Sequence, residues 1–187
     1  MRNIIKDKGM NKKGNLMFIV WFFIVMFVVL FLGFVMVIGS AILNWTFDQA
    51  IPELTNLGEV GGANFTEIAT FTITPLNNIV QSLTWLTGVL YVLMLVAVIG
   101  FAFVFKVAPS RWLLGFFFMS VFILVIASIF ISNIYEEFYS GTDELAIRLQ
   151  EHTILSFMIL YSPMVFTIIS FIAGIVLFSG MGKEEFI

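Results

Sequence analysis

A chain of 187 residues that is 60% hydrophobic and 11% charged, with a mean hydropathy of +1.07, lies far from the roughly 45 to 50% apolar and 25% charged usage of water-soluble domains. Its net charge is −3 and it contains no cysteine, which excludes disulfide-stapled loops, thiolate chemistry and cysteine metal sites. The partner this composition points to is the lipid bilayer, not nucleic acid.

Charge is unevenly placed. No Asp, Glu, Lys, Arg or His lies between Lys13 and Asp48, Glu67 and Lys106, Arg111 and Glu136, or His152 and Lys183. Each window holds an apolar run long enough to cross a bilayer, because about 20 helical residues at about 1.5 Å each cover a hydrocarbon core of about 30 Å. The fold expected is all-α: a polytopic membrane protein built as a four-transmembrane-helix bundle. In chain order it comprises a basic tail (1–15), a first span (16–43), an acidic external segment (44–82), a second span (83–105), a short turn (106–111) and a third span (112–131). A second acidic external segment with a short helix (132–153), a fourth span (154–180) and a tail (181–187) follow. A transmembrane barrel would need segments of about 10 residues that alternate apolar and polar, whereas only Gly33 interrupts the apolar character of 18–38. The first run is also too long for the apolar stretch of a cleavable signal peptide.

Basic residues orient membrane chains by staying in the cytoplasm. Arg2, Lys6, Lys8, Lys12, Lys13, Lys106, Arg111 and Lys183 all fall on one side of the expected bundle, and only Arg148 falls on the other. Both termini are therefore expected in the cytoplasm of a multi-pass cell-membrane protein, with 44–82 and 132–153 outside. Trp21 and Trp112 then approach the inner interface, and Trp45 and Trp85 the outer one.

In the first external segment Pro52 is suited to open a short helix bearing Ile51, Leu54 and Leu57, which Gly58 and Gly61-Gly62 then break. Thr74-Pro75 reads as the cap and first residue of the second spanning helix, although the alternation at 70–74 also fits a short strand. Asn64-Phe65-Thr66 matches a glycosylation sequon. In the second external segment Thr142 reads as a helix cap, with Asp143 and Glu144 in the first turn and Arg148 four residues after Glu144. The pairs Glu136-Glu137, Asp143-Glu144 and Glu151-His152 read as solvated loop charges, since adjacent side chains on a helix diverge. Pro163 within the fourth span is expected to bend it and to free a carbonyl near Ile159.

Membrane catalysis and proton relays use clustered His, Cys or carboxylates, and intramembrane charge marks ion paths. The spans carry none, so no enzyme, no cofactor and no metal are expected. What polarity the spans hold collects toward the outer leaflet: Tyr91 and Tyr161 with Thr84, Thr87 and Ser162. Both tyrosines are expected to face the bundle interior and to bond these hydroxyls. They serve either as glue between helices or as a small outward-open pocket for a neutral ligand or lipid headgroup. The function expected is a non-enzymatic scaffold or accessory subunit, associated with other membrane chains or with copies of itself. The alternatives are a pore or transporter for neutral or cationic small solutes, and a lipid-handling protein.

Overall fold

The computed structural model describes residues 12–104 and 111–179; the segments 1–11, 105–110 and 180–187, which carry most of the orienting basic residues, lie outside them. Helix α1 (Lys12–Leu57) runs unbroken for 46 residues, about 70 Å at the usual rise and more than twice a hydrocarbon core. It does not stop where its apolar run stops, and Pro52 lies inside it instead of opening a new helix. Proline there removes one N–H, while the hydroxyls of Thr46 and Thr55 bond back to the carbonyls of Ile42 and Ile51 within the turns. The helix ends at Gly58, whose φ of +60° is the left-handed conformation that side chains resist.

Strands β1 (Glu59–Val60) and β2 (Ala63–Asn64) form a minimal antiparallel hairpin around Gly61-Gly62. Both glycines have positive φ, as a two-residue hairpin loop of this kind requires. The Asn64 side chain then caps α2 (Phe65–Ile68) by accepting from the Glu67 N–H. A π-helical turn (Ala69–Ile73) joins α2 to α3 (Thr74–Val104), so helix is continuous from Phe65 and no strand forms at 70–74. The wide turn sits directly ahead of Pro75, whose ring would crowd a regular helical turn. Thr74 is therefore no cap; its hydroxyl donates to the Ala69 carbonyl.

Helix α4 (Arg111–Tyr139) likewise outruns its apolar stretch. Helix α5 (Glu144–Glu151) is capped by Asp143 rather than Thr142, the Asp143 carboxylate accepting from the Ala146 N–H at 3.2 Å. The last apolar segment is not one helix. It divides into α6 (Thr153–Leu160) and α7 (Ser162–Phe178), inclined at 75° around Tyr161. Pro163 stands in the first turn of α7, where a missing N–H costs nothing. The Tyr161 N–H bonds the Phe157 carbonyl at 3.0 Å, and the Leu160 carbonyl, next to the Ile159 carbonyl expected to be freed, takes a side-chain donor, Ser132 Oγ.

α1 packs chiefly on α3 and α4 on α7, while α6 is wedged among α1, α3 and α4. The end of the bundle near Phe18 is filled by Phe22, Phe23, Met26, Phe117, Leu177 and Phe178, with ring centroids 5.3 Å apart for Phe23–Phe117 and 5.4 Å for Phe117–Phe178. α1, α3 and α4 are each long and apolar enough to cross a membrane, and the bent pair α6–α7 makes a fourth crossing if it counts as one span. Phe31, Phe118, Phe122, Phe130 and Phe171 point outward, a surface far more apolar than a water-soluble protein exposes and compatible with a multi-pass membrane protein.

Two glycines permit the wedge. A Cβ on Gly33 would collide with the Tyr91 ring, and one on Gly88 would lie 2.8 Å from the Ile154 Cβ. Gly39 and Gly100 face open space. Gly33→Ala and Gly88→Ala are expected to destabilise the protein in detergent by about 1 to 3 kcal/mol through overpacking. Gly39→Ala and Gly100→Ala are expected to be neutral or to stabilise by up to about 1 kcal/mol, since alanine favours helix. Thermal unfolding of the four variants checks the contrast.

Candidate functional site

Polar side chains converge at the end of the bundle opposite Phe18. Ser40 and Asn44 are one turn apart on α1; Thr84, Thr87 and Tyr91 share a face of α3; Ser128, Ser132 and Tyr135 line α4; and His152, Ser156 and Ser162 follow the path from α5 to α7. Most of these groups bond across helices. Ser40 Oγ lies 3.2 Å from His152 Nε2, and the Tyr135 hydroxyl lies 2.6 Å from Ser156 Oγ. Ser156 Oγ also donates to the Leu149 carbonyl at 2.8 Å, and Ser162 Oγ to the Ser128 carbonyl at 3.2 Å. Asn44 Nδ2 reaches Thr84 Oγ1 at 3.5 Å, whereas Thr87 bonds only within its own helix, to the Leu83 carbonyl.

The expected site residues are only partly brought together. Thr84, Thr87, Ser162 and the fully buried Tyr91 lie within the bundle, but Tyr161 is 52% exposed and leans on Phe157 with ring centroids 4.7 Å apart. The expectation that both tyrosines face inward fails for Tyr161 because the helix breaks at that residue and turns its side chain away from the face it would occupy in a continuous span. Tyr91 does face inward, but its hydroxyl has no hydrogen-bond partner among the described residues. Its ring fills the space beside Gly33 and Ile159.

His152 is the larger correction. It is not a solvated loop charge: it is wholly buried at the junction that closes α5 and opens α6. Burial holds its pKa below the ordinary histidine value, opposed in part by the Thr84 carbonyl and the Glu151 carboxylate. Its Nδ1 has no partner among the described residues. Ser40, Tyr135 and Ser156 also belong to this cluster; Tyr135 and Ser156 were not singled out from sequence, although Tyr135 stands three residues after Ser132 on the same face of α4.

α5 crosses over the cluster and is tied down on both sides. Trp45 Nε1 and Gln49 Nε2 from α1 both donate to Glu144 Oε2. Arg148 forms an ion pair with Asp48 of α1 and another with Glu151 at 3.0 Å, while Asn77 of α3 donates to Asp48 at 3.3 Å. Gln150 donates to the Tyr139 carbonyl of α4 at 2.9 Å. A cavity of about 380 Å³ opens beside these contacts, lined by Trp45, Asp48, Gln49, Glu53, Glu144 and Arg148 among others. Among the described residues no group of three or more His, Cys, Asp or Glu is placed to hold a metal ion. The cluster is equipped to exchange hydrogen bonds and to hold a proton at the imidazole.

Neither family models, nor curated proteins, nor solved structures give a match to this chain. The hydroxyls themselves separate two kinds of buried tyrosine. Tyr135→Phe removes a bond to Ser156 and is expected to cost about 0.5 to 1.5 kcal/mol. Tyr91→Phe removes a buried hydroxyl without a partner and is expected to leave stability unchanged or raised. Unfolding of both variants in the same detergent measures the difference.

Proposed function

We propose that this protein crosses the membrane four times as a helical bundle with both termini in the cytoplasm, and that it serves as a non-enzymatic scaffold or accessory subunit of a membrane assembly. The orientation rests on eight basic residues on the N-terminal side against Arg148 alone on the other. It sets the Phe18 end inside and the His152 end, with its acidic segments, outside.

The observation that carries the subunit reading is how the interior is used. Phe22, Phe23, Phe117 and Phe178 fill the Phe18 end, and at the other end most of the polar groups are spent joining helices of this same chain. The outside of the bundle is left broad and apolar: only 17% of the most apolar stretch of α4 is buried, which leaves most of that helix to lipid or to neighbouring chains. Helices in lipid associate by close packing and small residues, and α3 and α4 turn Gly100 and Gly115 outward into open space.

A second reading, a path for cations, is favoured by the outer cavity, whose named lining carries three carboxylates and one guanidinium. Liposomes holding the purified protein separate the two: the subunit reading expects no flux of small cations above protein-free liposomes.

The absence of cysteine lets single introduced thiols report their own side. Ser140→Cys and Ala63→Cys are expected to react with an impermeant reagent from outside intact cells, and Ser110→Cys and Ser179→Cys to react only after permeabilisation. Labelling of position 110 from outside reverses the orientation. Crosslinking in native membranes is expected to give species larger than the 21.1 kDa chain; a monomer alone, in membranes and in mild detergent, rules out the subunit reading.

A further inference from the structure

The eight residues of α5 form a strap over the polar end of the bundle. Its own Ala146 and Leu149 are buried on its underside, and polar contacts to α1 and α4 hold it at both edges. The residue that ends the strap is His152, the chain's one histidine and fully buried. The bonds around it fix where its protons go. Ser40 Oγ donates its hydrogen to the Val37 carbonyl at 3.1 Å, so toward the imidazole it acts as acceptor, 3.2 Å from Nε2. Nε2 therefore carries the proton of the neutral ring, an assignment made from the network. Nδ1 is the basic nitrogen, and it is buried without a hydrogen-bond partner among the described residues.

A proton arriving at Nδ1 would create a buried imidazolium that the Thr84 carbonyl of α3 and the Glu151 carboxylate favour by less than burial penalises it while the strap is seated. A buried unpaired charge costs far more than a neutral group. Lifting the strap relieves the cost, because the ring then reaches water. The charged groups on the elements packed around His152 do not remove the conflict. On α5, Arg148 is held between Asp48 and Glu151, and Glu144 is held by Trp45 and Gln49. α1 contributes Asp48, already paired; α4 ends in Glu136 and Glu137, both exposed; and α3 and α6 contain no charged residue. Glu151 favours the imidazolium, but its carboxylate is turned to Arg148 at the surface.

We propose that His152 is a proton-operated catch: protonation at Nδ1 releases α5 from the end of the bundle and opens the hydroxyls of Ser40, Ser156 and Tyr135 to water. The sign follows from linkage. A histidine whose folded value lies below its unfolded value stabilises the seated strap fully above the ordinary pKa of about 6.5, and that stability is lost as pH falls below it. Within that window the ratio of open to seated strap changes by up to about tenfold per pH unit for one proton. The proposal depends on neither the orientation nor the partners of the protein.

The test uses the full chain in detergent without a histidine tag. Ala146→Cys lies on the underside of the strap, and Ser140→Cys is exposed beside it. The labelling rate at position 146, divided by the rate at position 140 at the same pH, cancels the pH dependence of the thiol itself. This ratio is expected to stay level from pH 8 to 7 and to rise about tenfold between about pH 6.5 and 5. His152→Gln should flatten it. Asp48→Asn, which breaks the clamp to Arg148, should raise the ratio at every pH and keep its rise in acid. A level ratio in the parent protein, or an undiminished rise in His152→Gln, overturns the proposal. If His152→Gln fails to fold, imidazole nitrogen resonances of the unaltered protein decide, since only one histidine contributes. They should report the Nε2-protonated tautomer at neutral pH and a midpoint below 6.5; the opposite tautomer or a midpoint at or above 6.5 refutes it.

Discussion

Everything at the polar end of this bundle follows from the break at Tyr161. A 75° turn within an apolar segment leaves backbone groups without their helical partners, and in surroundings with little water those groups must find donors inside the protein. α4 supplies the matching chemistry. Ser132 Oγ donates to the Leu160 carbonyl on one side of the break, and the Ser128 carbonyl receives Ser162 Oγ on the other. Ser132 serves with its side chain and Ser128 with its backbone carbonyl, one turn apart on α4, while the Ser128 hydroxyl bonds the Val125 carbonyl within its own helix.

Once the segment is broken, α6 enters the bundle as a wedge, and the neighbouring helices must make room. At Gly33 on α1 and Gly88 on α3 a side chain would collide with Tyr91 or Ile154. The wedge brings Ser156 under Tyr135 and ends α5 at His152. The close packing at Gly33 and Gly88 and the bonds of Ser132 and Ser162 thus accompany one backbone event. Removing the break would leave Ser132 and Ser162 without their present acceptors.

The parts of this architecture that were legible in the sequence are those set by composition. Four charge-free windows located the apolar helices because charge is costly in lipid and in a packed core alike. Helix ends were less legible, because a helix does not stop when its hydrophobicity stops: α1 passes Asp48 and even Pro52 and ends only at Gly58, which the sequence did mark as a breaker. Thr142 and Asp143 are both good caps, and which of two adjacent residues closes the turn depends on where the Ala146 N–H arrives. Pro163 announced a disturbance in the last segment, but the break falls two residues earlier, and that offset is enough to turn Tyr161 outward while Tyr91 stays inside. His152 was misread because its neighbours in sequence are charged, whereas its burial depends on α5 folding back over α1, a contact about 100 residues away along the chain and invisible to local pattern.

The two ends of the bundle are held by different kinds of energy, and this decides where the protein can yield. Near Phe18 the contacts among the described residues are chiefly ring on ring and aliphatic on ring, held by dispersion and shape. Near His152 the contacts are hydrogen bonds and ion pairs, several of them partly exposed, and each weakens when water or a proton competes for one partner. Opening free energies within one protein differ from region to region in this way, lowest where buried apolar contact is sparse and polar contact is wet. α5 meets both conditions: it is short, carries only Ala146 and Leu149 into the interior, and is fastened by side chains at its rim. The hydrocarbon end fixes the helices relative to one another, and the polar end is where a change of conditions can be converted into a change of shape.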